Sequence, residues 1–272
     1  MAQTATIGIV TVLIVLGVAA SAWVFVPAFQ GAEAARRDLG SHRLEFGAWL
    51  SALVLIGIVA VPLALIFHIG TELTPTTFAL SAIATDVPLL LVIYVRLIMP
   101  GAMTWSELGL KPLPLGYVLT VGLGAGLAGL VVIDLALGTV LTQFGLKPPN
   151  QLEQFQSVLS EGPLGLVLFL VAAAVVAPFV EELFFRGFLF GVYRRRQPLW
   201  LAYLVSSLLF AVLHLNNRMS GSEAIALCIG IFLLALILAA VYQYTDSLYP
   251  GMLAHAVNNT AAILLFYSLG AH

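Results

Sequence analysis

Apolar residues in this chain do not alternate with polar ones. They run in long blocks separated by short clusters of Gly, Pro and charge. A helix crossing a hydrocarbon layer about 30 Å thick, at about 1.5 Å per residue, needs about 20 such residues. Eight blocks meet that length: Ile7 to Phe29, Phe46 to Ile69, Thr77 to Met99, Gly116 to Leu141, Pro163 to Tyr193, Leu199 to Leu215, Glu223 to Tyr244 and Leu248 to Leu269. The fifth is long and turns polar after Val180, so its last turns are expected to emerge toward water. Breakers mark the connections: Gly40, Pro75, Pro100, Pro112 with Pro114, Pro148 with Pro149, Pro198, and Pro250 with Gly251. The pattern predicts an all-α polytopic protein with about eight transmembrane helices in one membrane domain, residues 1–272. Ala20-Ser21-Ala22 mimics a signal-peptide cleavage site. No Lys or Arg precedes Ile7, however, and the apolar run continues through Trp23 and Phe25, which favours an uncleaved first helix.

Composition strengthens the membrane reading. The chain is 61% apolar and 9% charged, against about 45–50% and about 25% in soluble domains. Eleven Lys and Arg against thirteen Asp and Glu leave a net charge of −2, so no basic footprint for nucleic acid is present. The single cysteine, Cys228, excludes an internal disulfide and a cysteine-based metal cluster. Basic residues also set the expected orientation. Loops one, three and five hold Arg36, Arg37, Arg43, Lys111, Arg194, Arg195 and Arg196, with Arg96 at a helix end beside loop three; the opposite loops hold only Lys147 and Arg218. Eight against two predicts loops one, three, five and seven in the cytoplasm and both termini extracytoplasmic. A bacterial-type inner or plasma membrane is expected.

Ionisable side chains inside apolar helices are expensive and therefore informative. The densest cluster is Glu181-Glu182-Leu183-Phe184-Phe185-Arg186. Glu182 and Arg186 stand i,i+4 on one face, the spacing of an ion pair or of a clasp that only locks helices. Glu181 points about 100° away and can face a different cavity. Two other helices place His214 after Phe210-Ala211-Val212-Leu213, and His255 on one face with Asn259. Counting about 1.5 Å per residue from Arg194, Leu199 and Asp246, at the expected cytoplasmic ends, puts Glu181, His214 and His255 at roughly 20, 22 and 13 Å, all compatible with mid-membrane. A carboxylate and an imidazole can polarise water and protonate a leaving amine. A second imidazole and an amide can donate to an oxyanion. Glu181, His214 and His255 are equally a legitimate zinc set, with no HExxH to decide, so zinc stays open and no cofactor is assigned.

Glu181-Glu182-x-x-x-Arg186, Phe210-x-x-x-His214 and His255-x-x-x-Asn259 together resemble the CAAX protease and bacteriocin-processing (CPBP, ABI) family of intramembrane endopeptidases. The similarity covers roughly Pro178 to Thr260, with Trp105-Ser106-Glu107-Leu108-Gly109-Leu110 as an upstream echo. It implies an eight-helix fold around an intramembrane catalytic cavity, glutamate-dependent proteolysis, and a core at residues 178–260. By motif position Glu181 is the water-activating carboxylate and His214 its partner. His255 and Asn259 form the oxyanion site, while Glu182, Arg186 and Phe210 shape the pocket. The implied partners are a peptide or lipidated-protein substrate and the bilayer. Because the fifth helix becomes more polar toward Arg194, the cavity is expected to open to the cytoplasmic side.

Other features carry less. Gly124-x-Gly126-x-x-Gly129 spells a dinucleotide fingerprint but lies in an apolar helix without the required strand. Gly122 and Gly126 instead suit close helix packing. Asn258-Asn259-Thr260 is a glycosylation sequon out of reach mid-membrane. His42, His68 and His272 sit near loops or ends. Asp86 and Asp134 lie on the third and fourth helices, as wall residues or a proton relay. Two other functions compete: a non-catalytic immunity or scaffold protein, and a proton-coupled transporter using Asp86 and Asp134.

Overall fold

The computed structural model describes residues 15, 18–19, 21–67, 74–146, 156–159, 162–215 and 219–268. The start of the first block at Ile7, and Lys147, Pro148, Pro149, Arg218, His68 and His272, lie outside them; so does the side chain of Asp134. Among the described residues the fold is helical, without strands. In chain order the helices are α1 (21–29), α2 (Ala32–Arg37), α3 (His42–Phe67), α4 (Pro75–Ile93, continued by Tyr94–Ile98), and α5 (Leu115–Gly129, continued by Leu130–Leu137 and Gly138–Gln143). They are followed by α6 (Gln156–Leu159), α7 (Pro163–Val171 continued without a break to Tyr193), α8 (Leu199–Leu213), α9 (Gly221–Thr245) and α10 (Leu248–Ser268).

Among the described residues, five helices are long and apolar enough to cross a membrane: His42–Leu63, Thr76–Ile98, Leu115–Gln143, Pro163–Tyr193 and Gly221–Thr245. The expected count of eight is not reached among the described residues. Helix α8 has 15 residues, about 22 Å at the usual rise. Helix α10 is long enough at 21 residues but is diluted by His255, Asn258, Asn259 and Thr260. Pro250 and Gly251 do not break the chain as expected. They fall in the first turn of α10, where a missing N–H costs no hydrogen bond.

Helix α7 carries two wide π-type stretches, Ala172–Val176 and Leu183–Phe190. Pro178, inside this helix, removes one i→i−4 donor, and the first wide turn lies immediately before it. The most extensive helix pairing is α5 on α10. A Cβ on Gly122 would stand 2.8 Å from Leu253, and one on Gly126 2.8 Å from Val257. Close backbone approach is therefore what these glycines permit, as their spacing predicted.

The loops expected on one side do meet at one end of the bundle. Arg36 donates to the carbonyls of Gly101 and Ala102, Gln197 donates to Gly40 O, and Arg195 donates to Glu107 O. Lys111 and Arg194 both pair with Asp246. Arg96 is buried, pairs with Asp38 and donates to Ala35 O. Burial pushes the Asp246 carboxyl up, but its bonds to Lys111 and Arg194 outweigh that and hold it below the usual range.

Candidate active site

Helix α7 presents its two adjacent glutamates in different directions, as an offset of about 100° requires. Glu182 is fully buried and accepts from Arg186 Nη1 at 2.9 Å, so the i,i+4 clasp exists. Arg186 also donates to Ala235 O of α9 at 3.3 Å and stacks 4.3 Å from the Phe210 ring of α8. Phe210 in turn packs edge-on to Phe185 and His255, and against His214. One aromatic ring thereby sets the spacing of the arginine and both histidines.

His255 is shared between the two carboxylates. Its Nδ1–H donates to Glu182 Oε1 at 3.1 Å, which turns Nε2 toward Glu181 Oε2 at 3.8 Å. The second Glu182 oxygen is buried without a protein partner and faces Gly251, where an added Cβ would stand 3.4 Å away. His214, at the end of α8, donates Nδ1–H to Phe210 O at 2.9 Å, leaving Nε2 as its free ring nitrogen. Asn259 donates to Ala173 O of α7 at 2.6 Å and keeps a second N–H. Glu181, His214, His255, Asn259 and Phe210 all line one cavity of about 200 Å³, whose other walls are Phe169, Ala173, Ile231, Leu234, Ala262 and Ile263.

Two features differ from the sequence expectation. His255, rather than His214, is the imidazole within ion-pair reach of Glu181; His214 faces the same cavity from α8. The stretch of α7 toward Arg194, expected to be polar, is packed by apolar side chains instead. Every side chain from Leu183 to Tyr193 is buried. Phe184, Phe185, Phe188 and Phe190 pack there with Leu108, Tyr242 and Leu248. The loop at Leu108–Gly109 seals this end: Gly109 O accepts from Leu248 N at 2.8 Å, and a Cβ on Gly187 would lie 2.6 Å from Leu108 O. The polarity read after Val180 is three charged groups followed by a packed aromatic core.

Sequence reasoning missed Asn258, which is buried and donates to Gly126 O and Ala254 O, each at 3.1 Å, tying α10 to α5. Its neighbour Asn259 had the motif spacing and took the attention. Asp86, read as a wall residue or a proton relay, is buried on α4. Among the described residues no three His, Cys, Asp or Glu side chains stand together as a metal-holding group.

Fold and pocket together define a polytopic helical membrane protein with a polar cavity built from its C-terminal helices. Residues 163–261 match the family model described as type II CAAX prenyl endopeptidase Rce1-like. This part of the chain, from the start of α7 into α10, therefore carries an Rce1-like domain. No curated protein and no solved structure matches the chain.

Proposed function

We propose that Glu181 activates a water against a peptide bond held in the cavity, so that the chain works as a glutamate-dependent intramembrane endopeptidase. The observation that carries this reading is convergence: three helices bring a carboxylate, two imidazoles and an amide to one small chamber. In the proposed reaction the water oxygen attacks the carbonyl carbon and its proton passes to Glu181. His214, oriented by its bond to Phe210 O, steadies the water through Nε2. The tetrahedral oxyanion accepts from the free N–H of Asn259 and, in the protonated ring, from His255 Nε2–H. When the C–N bond breaks, the proton on Glu181 is returned to the leaving nitrogen. Glu182 and Arg186 hold the His255 ring and stay outside the reacting atoms.

The chamber's size limits what enters. About 200 Å³ is below the roughly 300–1,000 Å³ of small-molecule pockets. It suits the scissile bond and its immediate neighbours. A lipid chain on a CAAX-type substrate would stay against the apolar outer surface, as would the rest of a small peptide being processed.

The test is proteolysis by the full chain in proteoliposomes, together with a comparison of membrane proteomes. Glu181→Gln and His214→Ala should each abolish cleavage while insertion and melting temperature hold. Near wild-type kcat in either variant would refute the water-activation assignment. A non-catalytic immunity or scaffold role would leave biological protection intact in both.

A further inference from the structure

We propose that loop three, residues 104–111, is a positioning element for the active site: it fixes the height of α10 against α7 and so holds His255 on Glu182. What that does for catalysis rests on the protease reading; the placement of His255 does not.

Loop three grips three helices near their ends. On α7, the backbone of Gly187 abuts it so closely that a Cβ there would stand 2.6 Å from Leu108 O. On α9, Tyr242 donates its hydroxyl to the same oxygen at 3.4 Å, and a Cβ on Gly109 would meet the Tyr242 ring at 2.5 Å. At the start of α10, Leu248 N donates to Gly109 O and Ser247 Oγ donates to Lys111 O, each at 2.8 Å. Leu108, Ser247 and Leu248 are fully buried. An ion bridge closes the same junction, with Asp246 between Lys111 of the loop and Arg194 at the end of α7.

The loop is stiff enough to act as a spacer. Glu107 accepts from Thr104 N at 2.7 Å and from Thr104 Oγ1 at 2.9 Å, and these bonds hold its carboxyl below the usual range. Leu108 N, Gly109 N and Leu110 N donate back to the carbonyls of Thr104, Ser106 and Trp105. Gly109 takes φ +101°, open to glycine and rarely to other residues. Any yielding at Leu108 would break these turns and strand their backbone groups.

From this grip to the chemistry is a short way on both sides. His255 follows Leu248 by two turns of one unbroken helix, about 10 Å. Glu182 precedes Gly187 by about one turn of the wide stretch of α7. A slide of about 1 Å between the two helices is enough to stretch the 3.1 Å bond from His255 Nδ1 to Glu182 Oε1 past hydrogen-bond range. Nε2 would then swing off Glu181, and a misplacement of that size costs about 10²-fold in rate. Leu108, Gly187 and Ser247 do not line the cavity; they act through His255, as positioning residues.

The experiment uses the full chain in nanodiscs, with isotopically labelled histidine. The hydrogen-bonded Nδ1–H of His255 is followed as a downfield proton resonance, assigned by its loss in His255→Ala. Gly187→Ala presses on Leu108 O. Leu44→Ala is the stability control, a cavity in the buried face of α3, which packs chiefly on α4. In Gly187→Ala the resonance should move or vanish, and kcat per folded molecule should fall about 10²-fold with KM nearly unchanged. In Leu44→Ala the melting temperature should drop while resonance and kcat hold. Where Gly187→Ala does not accumulate, Ser247→Ala, which deletes the bond to Lys111 O, should shift the same resonance by less. An unmoved resonance in the loop variant would overturn the proposal, as would an equal displacement in Leu44→Ala or a displaced resonance with kcat unchanged. A wild-type protein that cuts nothing, yet shows these shifts, would sustain the positioning of His255 and refute the protease reading alone.

Discussion

Removing the Arg186 side chain tests the buried scaffold behind the site. The guanidinium is 1% exposed, bonded to Glu182 and Ala235 O, and stacked on Phe210. In Arg186→Ala, Glu182 keeps only the His255 bond for two buried oxygens, one of which already lacks a protein partner. Breaking a buried pair from one side costs about 3–5 kcal/mol, and losing a desolvated cation–π contact adds about 1–2 kcal/mol. Asn259→Ala, by contrast, removes one bond to Ala173 O at the cavity wall, worth about 1 kcal/mol. Thermal unfolding in detergent, followed by near-UV circular dichroism and by monodisperse yield, should show a much larger loss for Arg186→Ala. The double variant Glu182→Gln, Arg186→Met should recover most of that stability, because it removes the stranded charge rather than its partner alone. Equal melting temperatures for Arg186→Ala and Asn259→Ala, or no recovery in the double variant, would refute the clasp argument.

Three further outcomes follow from other parts of the molecule. Asn259→Ala should lower kcat by about 10²–10³ with little change in KM, as loss of one oxyanion donor does; an unchanged kcat in the proteoliposome assay would remove it from that role. Gly126→Leu should destabilise by about 1–3 kcal/mol or more through overpacking, since even a Cβ would meet Val257 at 2.8 Å and Ala254 O at 3.0 Å; a melting temperature at or above wild type would contradict the close α5–α10 contact. Asp246 has a lowered folded-state pKa, so its contribution is present above its unfolded value and lost as pH falls through the folded one. The melting difference between wild type and Asp246→Asn should therefore be small at pH 7, as for an exposed pair, and vanish as pH falls through the folded-state value; a difference that grows on acidification would reverse the sign.

Much of the site was legible in the residues. The Glu182–Arg186 clasp needed only the i,i+4 rule, because both partners sit on one helix. The glycine face of α5 could be read from its spacing, because small residues at that interval have one main use in apolar helices. Less legible was the function of polarity after Val180. Charge per residue does not say whether a segment meets water or is buried under Leu108 and Tyr242, which arrive from distant parts of the chain. The expected block at α10 is a helix, Leu248–Ser268, but only the fold shows that its polar residues line the cavity and the contact with α5.

By itself, then, the sequence determined the helical blocks, their apolar surface and the residue types available for chemistry, since helical periodicity and the length of apolar runs are local properties of the chain. Only the tertiary structure decided that His255 is held between Glu181 and Glu182, and that Asn258 anchors while Asn259 lines the chamber. Those outcomes depend on which helix faces which, and that is set by side-chain volume at contacts far apart in the chain: Gly122 and Gly126 letting α10 approach α5, and Gly187 letting Leu108 close one end.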